Sequence, residues 1–224
     1  RACVLKIKTV DEQGRPAGGV NIYAKCLGDV DGATRSAATD GQGIALIGLA
    51  PSDKEYVIGT WSRNFGFAKA VVRADNPDVV VEQTLVQRAG VDVEGKAVCS
   101  DGKPPAGWRV VALPDWWIFS SYPGGEEIRD DGSFTLRHVV PDRYTVKINI
   151  DKGDGFSTPR TVLTNEDITA SGKPLELKCD FLSPSSLVEI AGTLKVTGGE
   201  HKGLWIAAAP QNGDIFDHGS AYVK

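Results

Sequence analysis

The sequence predicts an all-β protein built from tandem antiparallel β-sandwiches. Three observations carry this. Apolar residues alternate with polar ones over short runs, the pattern of strands with one buried face. Turn-forming clusters separate those runs at regular intervals. A set of positions then recurs at a constant offset along the chain. Stretches with apolar residues at helical spacing are missing.

The runs come in order. Residues 4–10 (VLKIKTV) alternate throughout and read as the first strand. Glu12-Gln13-Gly14-Arg15-Pro16 closes it, with Pro fixing φ and Gly supplying a conformation other residues resist. A hairpin around this turn leads into the strand at 20–24. Asp40-Gly41 opens a middle strand after a tight turn. Residues 56–61, 70–72 and 79–85 follow as β-branched or aromatic runs. In the second half, Ser100-Asp101-Gly102-Lys103-Pro104 precedes a run at 108–113. Asp131-Gly132 precedes 133–136, and further runs occupy 144–150 and 175–181. Tyr56 and Tyr144 head their strands, each placed to cover a sandwich end and hydrogen-bond backbone through its hydroxyl.

The repeat fixes the domain organisation. Gly14, Pro16, Gly19 and Ala24 recur as Gly102, Pro104, Gly107 and Ala112, each 88 positions on, as from 14 to 102. Tyr56 recurs as Tyr144 at the same offset. A third copy opens at Ile190-Ala191-Gly192 and continues through 203–208, with Gly198-Gly199-Glu200 in place of Gly-x-Pro. The expected units are residues 1–88, 89–183 and an incomplete repeat at 187–224. Methionine is absent, which suggests a processed form or a fragment of a longer protein.

Composition narrows the function classes. Lys plus Arg number 25 and Asp plus Glu 29, a net charge of −4, which argues against a general nucleic-acid binder. No apolar run reaches the ~18 residues of a membrane-spanning helix. The histidines, His138, His201 and His218, form no close pair, and no GxSxG or CxxC motif occurs.

The strings VDEQGRPAGGVNIYA, ATDGQGIALIGLAP, VEGKAVCSDGKPPAGWRVVA and RDDGSFTLRHVVPDRYTV resemble carboxypeptidase regulatory-like domains. The resemblance covers about residues 1–182. It implies seven-stranded, prealbumin-like (transthyretin-like) sandwiches, often in tandem in exported bacterial proteins. Enzymes that resemble this fold carry signatures this chain lacks: a terminal Tyr-Arg-Gly-Ser, or paired His and Tyr on iron. The resemblance therefore implies a non-catalytic module without cofactor or metal. It would be periplasmic, cell-surface or secreted, and would bind a protein partner or larger assembly through loops.

Three residue groups remain as candidates. Paired carboxylates at Asp29 and Asp31, Asp151 and Asp154, and Asp214 and Asp217 lie in loops. They lack the spacing of an EF-hand and read as turn residues. The segment 116–123 carries Trp116, Trp117, Phe119 and Tyr122 after Pro114. Two readings stand: an exposed surface that binds protein or stacks sugar rings, or a loop that caps its own sandwich or fills the joint between units. The cysteines are the third group. A hairpin centred on Gly14 sets Cys3 opposite Cys26, while Cys99 and Cys179 lie on the first and last strands of the second unit. Export of the resembling family favours disulfides Cys3–Cys26 and Cys99–Cys179. Four buried thiols are the alternative.

Overall fold

The computed structural model describes residues 3–28, 33–76, 79–119, 125–151, 157–169, 173–186, 205–208 and 219–222. Within them the chain is all-β, apart from one 3-10 turn at Pro184–Ser186. The first half forms β1 (Cys3–Asp11), β2 (Asn21–Cys26), β3 (Arg35–Ala38), β4 (Ile44–Leu49), β5 (Ser52–Trp61), β6 (Ala68–Ala74) and β7 (Val80–Gln87). The second forms β8 (Val91–Val98), β9 (Arg109–Pro114), β10 (Glu126–Glu127), β11 (Ser133–Val139), β12 (Tyr144–Asp151), β13 (Ser157–Glu166) and β14 (Leu175–Lys178).

The two halves share one topology. In the first, a sheet ordered β4-β1-β7 faces another ordered β3-β2-β5-β6. In the second, the sheets run β11-β8-β14 and β10-β9-β12-β13, the same order moved on by seven strands. Each half has its own hydrophobic core. β1 shows why: Cys3, Leu5 and Ile7 point inward and are fully buried, while Val4 and Lys8 face out. Each such side chain contributes roughly 1.5–3 kcal/mol by leaving water. The cores exchange volume across equivalent pairs. Ile7 opposes the small Ala45 in the first, whereas Gly95 opposes Phe134 in the second. A close-packed interior tolerates such a swap because the filled volume is conserved.

Two expectations need correcting. β1 and β2 do not form a hairpin. The turn at Gly14 closes locally, with Asp11 N–H donating to Arg15 O and a lone bridge between Val10 and Pro16. The chain then crosses to the opposite sheet, where β2 pairs with β3 and β5. The sheets are also not purely antiparallel: β1 pairs parallel with β7, and β8 with β14. First and last strands of a unit run the same way, which only a long connection permits.

The hydroxyl bonds expected of both tyrosines are present, and Tyr144 opens its strand, whereas Tyr56 lies inside β5. Tyr56 Oη donates to Ala50 O at 2.6 Å and Tyr144 Oη to Val140 O at 2.8 Å. Burial pushes the Tyr144 phenol well above its ordinary value. Beyond the second half, β15 (Trp205–Ala208) and β16 (Gly219–Tyr222) pair antiparallel, with Trp205 opposite Tyr222. The rest of 187–224 lies outside the described residues.

Candidate functional site

The aromatic segment leaves β9 at Pro114 through a tight turn, in which Trp117 N–H donates to Pro114 O at 2.8 Å. Its base is tied to the approach of β12. Asp115 N–H donates to Arg143 O at 2.9 Å, and Thr145 Oγ1 donates to Asp115 Oδ1 at 2.9 Å. Trp116 Nε1 donates to Asp142 Oδ2 at 2.7 Å. These bonds orient the rings away from their own core.

The rings meet the outer face of the sheet β3-β2-β5-β6 in the first half. Tyr23, Gly59 and Lys69 form one row across β2, β5 and β6, since Tyr23 opposes Gly59 and Gly59 opposes Lys69. Gly59 leaves a notch in that row. A Cβ there would collide with Phe119 and would sit 3.2 Å from Trp116 Cζ3. Phe119 fills the notch and is 3% exposed. Trp117 packs edge-on against Tyr23 at 5.3 Å, Phe67 at 5.0 Å and Phe119 at 4.8 Å. Lys69 Nζ lies 5.7 Å from the Trp116 ring. Edge-to-face pairs at these separations are attractive beyond the area they bury. Burial raises the Tyr23 phenol above its ordinary value.

Trp116, Trp117 and Phe119 thus meet in the joint between the halves, with Trp116 and Trp117 half-buried and Ile118 exposed. Tyr122 lies outside the described residues. Sequence reasoning missed the receiving surface of Tyr23, Gly59 and Phe67. A signal existed: Gly59 and Tyr23 correspond, at the repeat offset, to Lys147 and Val111, which oppose each other in β12 and β9. A glycine inside a central strand marks close approach by something else.

The cysteines depart from expectation. All four are free thiols. Cys3 and Cys26 sit on different sheets. Cys3 Sγ donates to Val79 O at 3.4 Å, and Cys26 Sγ lies 3.6 Å from Ser52 Oγ. The supposed β1–β2 hairpin was the ground for pairing them. Cys99 and Cys179 stand beside each other at the end of the parallel β8–β14 pair, as thiols in the core. Burial pushes Cys99 up to about 11 and Cys179 to about 12, with the nearby Asp101 carboxylate adding to the rise at Cys99.

The carboxylate pairs fall on Asp29, Asp31, Asp154, Asp214 and Asp217, outside the described residues. Among the described residues no three His, Cys, Asp or Glu side chains cluster to hold a metal ion, and no helix is long and apolar enough to cross a membrane.

No family model matches the chain, and no curated protein matches it. Solved structures do. A streptococcal ancillary pilin is similar at 14% identity and TM-score 0.34, over 80% of this chain and 62% of that one. The Bacillus anthracis TIE protein is similar at 12% identity and TM-score 0.34, over 80% of this chain and 34% of that one. The shaft pilin SpaA from Lactobacillus rhamnosus GG is similar at 12% identity and TM-score 0.29, over 84% of this chain and 99% of that one. The chain spans less than two thirds of the first two proteins.

Proposed function

We propose that the chain is a non-catalytic structural segment of a larger exported protein. In this reading residues 1–88 and 89–183 are two prealbumin-like sandwich domains that the aromatic joint holds as one stiff body. The observation that carries the reading is Phe119 seated in the notch at Gly59. Linked domains ordinarily move relative to each other unless the contact between them is apolar and well packed. A spacer or docking element needs that stiffness, because it must present distant surfaces at a fixed geometry. Its protein partner would then meet loops and sheet faces away from the joint. Location at the periplasm, cell surface or outside the cell follows from the family resemblance. The glycan reading, with Trp116, Trp117, Phe119 and Tyr122 as a platform, draws no support from the rings of Trp116, Trp117 and Phe119, which already meet protein.

The test is a distance distribution between spin labels, one on each sandwich. The wild-type protein is expected to give a narrow distribution. Gly59→Lys, which installs the side chain that the second unit carries at the equivalent position, should broaden it while both units stay folded. A broad wild-type distribution would sink the proposal.

A further inference from the structure

A second feature of the boundary adjoins the aromatic joint and shares Phe67 with it. A cleft of about 350 Å³ lies between the halves. Trp61 and Arg63 line it from the first, and Arg109, Glu126, Arg137 and His138 from the second. Among the described residues, three arginines therefore share the cleft with a single carboxylate. Arg63 and Arg137 are exposed, and neither has a hydrogen-bond or ion-pair partner within the described protein.

Arg137 and His138 reach the cleft through a distortion that the first unit lacks. In β4, Gly48 alone stands between Ile47 and Leu49, which pair with Leu5 and Cys3. In β11, Leu136 pairs with Val93 and Val139 with Val91, so Arg137 and His138 together oppose Asp92. This is a β-bulge, a device that re-aims side chains and is common beside binding sites. His138 takes a φ of 56°, unusual for a residue with a side chain. Two contacts hold it there. His138 N–H donates to Asp92 Oδ1 at 3.2 Å, and Nδ1 lies 2.9 Å from Ala89 O. A carbonyl only accepts, so Nδ1 carries the proton. Nε2 is left to accept when the ring is neutral and to donate when it is charged. Observed strain of this kind is a pointer to a site.

We propose that this cleft binds a hydroxylated carboxylate of monosaccharide size, a uronic acid. Arg63 and Arg137 take the carboxylate, Glu126 accepts from ring hydroxyls, and the half-buried Trp61 lies against the apolar face of the ring. Arginine suits this because its planar fork matches a carboxylate in two parallel hydrogen bonds. The volume falls in the range of small-molecule sites, roughly 300–1,000 Å³. Glu126 separates this ligand from a phosphate: it would repel a dianion, but it supplies the acceptor that sugar hydroxyls need.

Calorimetric titration at low salt tests the proposal with glucuronate, glucose and inorganic phosphate as probes. Glucuronate is expected to bind saturably and glucose not to bind. Arg63→Ala and Arg137→Ala, both at exposed positions, should keep the melting temperature and weaken glucuronate by about tenfold or more, a change of ~1.4 kcal/mol. An oligosaccharide ending in glucuronate that binds as tightly as free glucuronate identifies a residue within a glycan; one that does not bind identifies a free acid. Either result supports the site. Absent glucuronate binding overturns it. So does affinity unchanged in both variants, or phosphate binding as tightly as glucuronate with the same dependence on the arginines.

Discussion

At the scale of single residues, the cysteines show how strand placement decides chemistry. Cys99 and Cys179 are packed among Val93, Trp108, Phe134 and Leu177 in the second core. There the neutral thiol is favoured, and the reactive thiolate is not. The sign of the pH effect follows. Unfolded thiols titrate near about 8.5, whereas these hold their protons to about 11 and about 12. Between those values the folded state binds more protons than the unfolded one, so stability is complete below the unfolded pKa and falls as pH rises through the folded values. The expected outcome is a denaturation midpoint that drops on moving from about pH 8 to about pH 10.5, and drops less in a Cys99→Ala, Cys179→Ala variant. Thiol labelling adds a second check. The half-buried Cys26 should react first, and Cys3, Cys99 and Cys179 only on unfolding. A native protein with no reactive thiols even after denaturation would contain disulfides and refute the assignment.

At the scale of elements, turns and edges set the strands' limits. Two turns in the second unit share one form. Gly102 N–H donates to Cys99 O and Gly132 N–H to Arg129 O, each at 2.9 Å, and their φ values are 76° and 83°. Their surroundings differ. A Cβ on Gly102 would meet nothing within 4 Å, while one on Gly132 would lie 2.6 Å from Ala97 O. Gly102→Ala should therefore cost only the backbone term, about 1–2 kcal/mol. Gly132→Ala should cost more, because β11 must also move away from β8. Urea midpoints at equal slope measure the difference, and equal losses would show that the close approach relaxes freely. The same elements show what alternation reveals. β1 and β12 were legible because one face is buried along their length, and β5 because residues 56–60 form a continuous buried run. β3, with sequence RSAA, and the two-residue β10 carry no such pattern. β13 contains Pro159 and, among the described residues, pairs on one side only, as suits proline in a strand. The bulge in β11 was illegible too, although it shows afterwards as the residue by which the second unit's Arg137-His138 exceeds Gly48.

At the scale of the whole molecule, the repeat revealed two similar halves but not how they meet. Tandem copies share the residues that make a sandwich, whereas a joint depends on residues that differ between copies. Trp116, Trp117 and Phe119 stood out because the first unit has nothing like them. Tyr23, Gly59 and Phe67 did not, since each is ordinary in its own strand and gains meaning only from its partner. The energetic consequence concerns cooperativity. Each half has its own core, so each has the means to unfold alone, and only the boundary makes them unfold together. Removing a buried Phe ring costs about 3–5 kcal/mol in a core. Phe119 is buried by the other half, so its loss falls on the coupling and not on either core. Wild-type protein should melt in one calorimetric transition, and Phe119→Ala in two. The transition of the first half should then coincide with that of residues 1–88 expressed alone. A lowered single transition, with calorimetric and van't Hoff enthalpies equal, would mean that Phe119 stabilises only its own sandwich and that the joint transmits nothing.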